Sequence, residues 1–295
     1  MKIFLAGGES RHWIQDNLLE SQKKNEMRIY LAGNGIFPAY IAPEIRNADL
    51  SRRRIPERDH TGGYYETITT YRPYILESFF YADNDTERLI PFFGDFLLDS
   101  GAFTFMQGKG GSPDWDDYVE RYADFINRNK VQKYFELDID SVVGYEKVKQ
   151  IRAKLERLTG RQSIPVWHIS RGMDEFRGMC RDYDYVAIGG IVSGEIPKDR
   201  YKAFPALIAE AHKHDAKIHG LGFTNLSLLP HYHFDSVDST AWTTGNRFGF
   251  LYYFDGKTMI KKDAPKGHKI GASREAALNN YTEWIKFQKY AEKHL

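Results

Sequence analysis

Apolar residues recur along the chain in short runs that stop at an acid, a glycine or a histidine. Runs of strand length lie at Lys2–Ala6, Tyr74–Phe80, Phe96–Asp99, Lys133–Asp138, Ile164–His168, Tyr185–Gly189, Lys217–Leu221 and Phe234–Asp238. Helix-length segments separate most of them: Trp115–Asn129, Gly144–Leu158, Asp174–Asp182 and Arg200–His214. In the first of these, Tyr118, Tyr122 and Phe125 fall at helical spacing and predict a core-facing stripe. Ser273–Leu295 reads as an amphipathic terminal helix with Ala277, Tyr281, Trp284, Ile285 and Phe287 on its apolar side. Strand–helix alternation of this kind predicts parallel βα units, and eight strands predict a (β/α)8 TIM barrel in the α/β class.

Two stretches break the rhythm. Residues 10–72 are polar and read as an insertion after the first strand. They carry Ser51-Arg52-Arg53-Arg54 and Thr61-Gly62-Gly63-Tyr64-Tyr65. Within them, Ile29-Tyr30-Leu31-Ala32-Gly33 echoes Ile3-Phe4-Leu5-Ala6-Gly7, so the second copy competes for the place of the first strand.

With 295 residues and 42% hydrophobic content, the chain can build one large core, read as a single barrel domain over 1–295 with an appended helix at 273–295. Lys plus Arg number 41 and Asp plus Glu 40, so bulk charge names no nucleic-acid partner and only a local basic patch could do so. One cysteine, Cys180, excludes an internal disulfide and a Cys-rich zinc site. It points to the reducing cytoplasm. No run reaches the roughly 20 apolar residues of a membrane span, and the opening run is too short for a signal peptide.

Chemistry in a barrel sits at the C-terminal ends of its strands. Asp99, followed by Ser100, Gly101 and Phe103, is either a turn or cap residue or a general acid/base. Glu136, Asp138 and Asp140 alternate onto one face of the fourth strand, where they need water, a cation or ligand N–H groups. Metal binding is a rival reading there. His168, Ser170 and Arg171 end the fifth strand, with His168 either a core histidine or a functional one. Gly189 and Gly190 end the sixth, serving either a positive-φ turn or a flat ligand surface. His219, Gly220 and Gly222 end the seventh, too sparse in glycine for a dinucleotide fingerprint. On the eighth, Asp235 and Asp238 cannot share a face, and Asp238 lies nearer the mouth. Asp99 and Asp238 together would equip the mouth for chemistry at a sugar anomeric carbon.

These motifs, in this order, resemble the tRNA-guanine transglycosylases. Asp99-Ser100-Gly101-Ala102-Phe103 is similar to that family's Asp-Ser-Gly-Gly-Phe/Tyr, and Leu137-Asp138-Ile139 to the Leu-Asp-Ile of its archaeal members. Gly189-Gly190-Ile191-Val192-Ser193-Gly194-Glu195 resembles Gly-Gly-Leu-Ala-Val-Gly-Glu. His219-Gly220-Leu221-Gly222 resembles Met-Gly-Val-Gly, and Phe234-Asp235-Ser236-Val237-Asp238-Ser239 resembles the segment that carries the nucleophile. The stretch from Arg247 to Lys262 resembles a shortened form of the family's next segment along the chain. The likeness covers about residues 90–262.

The resemblance implies a glycosyltransferase with no cofactor and no metal. Asp238 would attack the anomeric carbon, with Asp235 as the fallback, and Asp99 would move the proton of the departing and incoming base. Asp138 would read the base's N–H edge, Gly189 and Gly190 amides its carbonyl, and Phe103 and His219 would sandwich the ring, beside Ser100, Gly101 and Gly220. His168, Ser170 or Arg171 stands where the family has a glutamine. The family's zinc subdomain and archaeal RNA-binding domain have no counterpart here. That makes the chain similar to short phage-type relatives that put 7-deazaguanines into DNA. The implied partners are DNA, with tRNA as the alternative, and a free 7-deazaguanine base. Arg52, Arg53, Arg54, Arg247, Lys257, Lys261, Lys262, Lys266 and Lys269 are the candidate phosphate contacts. A homodimer is allowed, no membrane is expected, and the setting is cytoplasmic, the host's if the chain is phage-encoded. Outside this class stand a non-catalytic partner subunit and an unrelated metal-dependent barrel lyase or isomerase.

Overall fold

The computed structural model describes residues 26–33, 72–106, 113–263 and 274–295. Eight parallel strands form one curled sheet in the order β4-β3-β2-β1-β8-β7-β6-β5. They are β1 (Arg28–Ala32), β2 (Tyr74–Ser78), β3 (Asp95–Asp99), β4 (Lys133–Tyr134), β5 (Val166–Trp167), β6 (Tyr185–Ile188), β7 (Lys217–Gly220) and β8 (Ser236–Ser239). The two outer strands approach each other through a parallel bridge between Phe135 and Ile164. There Glu136 N–H donates to Ile164 O at 3.0 Å and Ile164 N–H to Tyr134 O at 2.8 Å. The arrangement is compatible with a TIM-like barrel.

The first strand differs from the expected one. Arg28–Ala32 pairs with both β2 and β8, so the second copy of the echo holds the central place, inside the span read as an insertion. Lys2–Ala6, Arg52, Arg53, Arg54, Lys266 and Lys269 lie outside the described residues.

The helices are α1 (Asn84–Leu89), α2 (Ala102–Met106), α3 (Trp115–Arg128), α4 (Asp140–Val143), α5 (Tyr145–Thr159), α6 (Gly172–Asp182), α7 (Phe204–His212), α8 (Ala241–Phe248) and α9 (Arg274–His294). The segment expected as one helix over Arg200–His214 divides into a 3-10 turn, Lys198–Ala203, and α7. Pro205 lacks an N–H and fits only the first turn of an α-helix, so α7 begins beside it. In α3 the Asp114 carboxylate accepts from Asp116 and Asp117 N–H at the N-terminus. Tyr118, Tyr122 and Phe125 are buried as the spacing predicts.

Strand alternation sorts the apolar residues into two cores. Tyr30, Ala32, Leu76, Leu97, Phe135, Val166 and Ala187 pack together inside the curled sheet. Leu31, Ile75, Leu98, Ile188, Ile218 and Val237 pack outward against helices that include α3, α5, α6 and α7. Two-residue periodicity then turns Asp99 (with Leu97), His168 (with Val166) and Asp238 (opposite in parity to Val237) toward the interior at the C-terminal strand ends. At the other end, Asp95 collects Arg28, Lys133 and the Tyr30 hydroxyl. Burial raises the Asp95 pKa, but Lys133, Tyr30 and Arg28 outweigh it and hold the carboxyl below its ordinary range. This is the stability end of the fold.

On α9, fully buried Gln288 reaches between β1 and β2. Its amide donates to Ile29 O and Tyr74 O, and its oxygen accepts Tyr74 N–H at 2.9 Å. Gln288→Leu leaves the buried Ile29 O and Tyr74 N–H unpaired and removes a second bond from Tyr74 O, which keeps its ladder bond to β1. It should lower stability by on the order of 3 kcal/mol, read as a lower urea midpoint with unchanged slope. A midpoint equal to wild type would show that water replaces the amide.

The hairpin β9 (Phe250–Phe254) and β10 (Met259–Asp263) comes after α8, and α9 covers its open edge. Asn280 accepts Tyr252 N–H and Glu283 accepts Phe254 N–H, both at 2.7 Å, so side chains replace a neighbouring strand. Among the described residues, no helix is long and apolar enough to cross a membrane.

Candidate functional site

Asp99 is the last residue of β3. Its Oδ2 accepts the N–H of Gly101 at 3.0 Å, which bends the chain back over the carboxylate. Gly101 has φ +77°, and a Cβ there would come within 2.6 Å of Phe80 Cβ and 2.9 Å of Phe80 N. Only glycine meets both demands. Tyr118 of α3 donates to Ser100 O at 2.6 Å, and Tyr122 to Leu98 O and Phe135 O at 3.1 Å, pinning the strand end to the helix. Burial pushes the Asp99 carboxyl up to about 6, the Gly101 and Ser100 N–H groups oppose that, and the charges of Asp238 and Asp138 add to it. A carboxyl in that range can hold or release a proton near neutrality.

Asp238, on β8, is 8% exposed. Its Oδ1 accepts Gly222 N–H at 2.6 Å and faces His219 Nε2 at 3.3 Å. Gly222 adopts φ +68°, and a Cβ on it would meet Val192 Cγ2 at 2.2 Å. The second glycine of the Gly-x-Gly motif thus places a backbone N–H on Asp238. Asp235 sits at the other end of β8, where its Oδ2 takes Ile218 N–H and His212 Nε2, each at 2.8 Å. It is away from the mouth, as its register predicts.

The fourth strand departs from regular geometry after the Phe135 bridge. The Glu136 carboxylate itself accepts Val166 N–H at 2.8 Å. The three acids then share a cation supplied by the chain. Arg171, 2% exposed, donates to Glu136 at 3.0 Å, Asp138 at 3.2 Å and Asp140 at 3.1 Å, and its guanidinium lies 4.2 Å from the Tyr145 ring centre. Arg152 adds a second contact to fully buried Glu136 at 3.1 Å.

His168 completes this network. Its Nε2 lies 2.8 Å from Asp138 Oδ2 and its Nδ1 2.7 Å from Glu195 Oε2. Ser170, which is exposed, holds the other Glu195 oxygen through its N–H at 3.2 Å. Burial works against a charge on His168, but Asp138 and Glu195 outweigh it and push the imidazole up to about 9. Both oxygens of Asp138 are therefore engaged by cations of the protein. To read the N–H edge of a base, Asp138 would have to exchange His168 for it.

Because the folded pKa of His168 is raised above its ordinary 6.5, its stabilising contribution is complete below pH 6.5 and lost as pH rises through about 9. The melting temperature should fall across that window more steeply in the wild type than in His168→Gln. Parallel curves would place the imidazole in solvent rather than between two carboxylates.

Ligand atoms of Asp138, Asp140 and His168 lie within 4.8 Å of one another, the one such group among the described residues. Arg171 already donates to both carboxylates, and His168 Nε2 to one of them. A metal would have to displace those cationic groups, so the residues do not fit one.

The paired glycines serve their neighbours. A Cβ on Gly189 would strike His168 Nε2 at 2.6 Å, and one on Gly190 (φ +78°) would strike Glu195 Oε2 at 2.8 Å. Gly189 N–H is taken by Trp167 O at 2.9 Å, which removes it as a ligand donor and leaves Gly190 as the candidate. Gly220 is small because Phe223 and Phe234 close over it. Phe103 is 45% exposed on α2, free to stack. His219 is 0% exposed and presents no face to a ligand, which corrects the expected sandwich.

Lys261 and Lys262 stand exposed on β10, their ammonium groups 4.0 Å and 4.6 Å from the Phe250 and Tyr253 ring centres. Arg247 lies on α8. A cavity of about 310 Å³ opens elsewhere, among Trp167, Ile169, Met173, Phe204 and Leu207 on the outer side of the sheet.

Glu195 and Gly222 carry no separate role in the sequence, where their signal is only proximity to strand ends. Arg171 stands there only as a stand-in for a base contact, and its service to three acids is visible in the fold alone. No protein-family model matches the chain, and no curated protein matches its sequence.

Proposed function

We propose that the chain is a transglycosylase that exchanges guanine in a nucleic acid, preferably DNA, for a free 7-deazaguanine. The observation that carries this reading is a pair of unlike carboxyls at the same end of the sheet. Burial raises Asp99 to about 6 with the charge of Asp238 adding to it, and Asp238 has one oxygen tethered by Gly222 N–H. Oδ2 of Asp238 is then the attacking atom. It bonds to C1′ as the bond from C1′ to the base breaks, and the departing guanine takes the proton from Asp99. The incoming 7-deazaguanine returns a proton to Asp99 as its nitrogen attacks C1′ and frees the Asp238 carboxylate.

In a duplex the target nucleotide must leave the stack to reach this mouth. Phe103 supplies an exposed ring on the helix that follows Asp99 in the chain, and Lys261 and Lys262 supply charge for the backbone. Against a metal-dependent lyase stands Arg171, which occupies the acid cluster.

The test is incubation of the full chain with radiolabelled guanine or 7-deazaguanine and either DNA or tRNA. Label is expected in DNA. Label in tRNA alone would overturn the preference for DNA, and label in neither would overturn the reading.

A further inference from the structure

We infer that His219 is a positioning residue for Asp238, held as its Nε2–H tautomer by a buried hydrogen-bond chain that begins at Tyr185. The inference rests on the reading of Asp238 as the nucleophile.

Three inward-facing residues from neighbouring strands make the chain. Tyr185 on β6 hydrogen-bonds the Ser236 hydroxyl, Ser236 on β8 lies 2.5 Å from His219 Nδ1, and His219 Nε2 on β7 reaches Asp238 Oδ1 at 3.3 Å. His219 and Ser236 are 0% exposed. The imidazole also packs between Tyr30 and Phe135, with ring centres 6.2 Å and 5.2 Å away, so it cannot swing to another partner.

Proton counting selects the tautomer. A serine hydroxyl has one proton. Nε2 faces a carboxylate oxygen that has no proton to give, and among the described contacts the Ser236 hydroxyl meets only Tyr185 and His219 Nδ1. With Tyr185 donating to Ser236, the serine proton goes to Nδ1, which is then bare. The proton of the neutral ring is on Nε2, aimed at Asp238. Burial pushes the Tyr185 hydroxyl far above its ordinary range, so it keeps a proton that it can donate to Ser236. The reverse arrangement would put a bare Nε2 against a carboxylate, lone pair to lone pair. A doubly protonated ring would place a charge in the interior of the curled sheet and leave the Ser236 proton without Nδ1 as acceptor.

With Nε2–H in place, both donors to Asp238, Gly222 N–H and His219, act on Oδ1. Among the described residues no donor reaches Oδ2, which is left to attack. The ring never touches the base. It fixes which oxygen of the nucleophile is presented, from beneath.

Long-range proton–nitrogen NMR on the full chain labelled at histidine tests the tautomer without turnover. At neutral pH the His219 signal should show a protonated Nε2 and a bare Nδ1, and Tyr185→Phe should populate the second tautomer. An Nδ1–H ring or an imidazolium in the wild type would overturn the inference. The second arm tracks covalent adduct formation with DNA. His219→Leu should slow it about 10- to 100-fold, with the KM for free base within about twofold of wild type. His219→Gln keeps an N–H donor and should recover most of the rate. Equal rates for Leu and wild type would also overturn the inference. If His219→Leu does not fold, Ser236→Ala and Tyr185→Phe read the same chain from its far end, and both must slow the adduct. A locked tautomer in a protein that makes no adduct faults the proposed function alone. The wrong tautomer in an active protein faults this inference alone.

Discussion

Asp238→Asn should form no covalent adduct with DNA, whereas Asp99→Asn should form one slowly. The amide that replaces Asp238 is a poor nucleophile, so the first bond to C1′ is not made. Asp99→Asn keeps the nucleophile and removes the proton carrier, which should cost about 10²- to 10⁴-fold in rate. Wild-type exchange should also change with pH around 6, where Asp99 gains or loses its proton, and that limb should vanish in Asp99→Asn. Asp235→Asn serves as the comparison, since Asp235 lies at the far end of β8 with Ile218 N–H and His212. Denaturing gel electrophoresis of protein mixed with labelled DNA and free base reads all three. Adduct kept in Asp238→Asn and lost in Asp235→Asn would overturn the assignment of the nucleophile.

The largest stability effect should come from Arg171→Met. The guanidinium is 2% exposed and touches Glu136, Asp138 and Asp140, and its removal leaves three carboxylates facing one another. Arg152 and His168 remain for Glu136 and Asp138, but Asp140 loses the contact to Arg171. Breaking a buried pair by deleting one member typically costs about 3–5 kcal/mol, because the other charge stays buried. Urea unfolding at pH 7.5 should show that loss, and at pH 5 a smaller one, because burial raises the Glu136 carboxyl and favours its neutral form. A loss under about 1 kcal/mol at pH 7.5 would mean that water already screens the cluster. Adding Asp140→Asn to Arg171→Met should return part of the stability, since it deletes one of the unpaired charges.

Most elements were legible because their signals are local. Tyr74–Ser78, Asp95–Asp99, Tyr185–Ile188 and Lys217–Gly220 fall within or at one residue of the apolar runs. The first strand was not legible, because residues 3–7 and 29–33 carry nearly the same text. Only pairing distinguishes Arg28–Ala32, whose Tyr30 sits opposite Asp238 on β8. The fourth strand is shorter than its apolar run. Alternation put Glu136, Asp138 and Asp140 on one face, while the side chain of Glu136 breaks the ladder by taking Val166 N–H.

That strands end near Asp99, His168, Gly189, His219 and Asp238 is written in the chain itself. Periodicity of two and the stop of each apolar run are properties of neighbouring residues. The same periodicity settles which acid of the eighth strand faces the mouth. What these groups do to one another was decided by the curling of the sheet. His168 meets Glu195 across 27 positions and Asp138 across 30, and Arg171 meets Glu136 across 35. His219, expected as a plate for a base, is a buried donor beneath Asp238. A charge is set by the dielectric and the partners around it. Those exist only once strands distant in the chain stand side by side, and no local pattern encodes them.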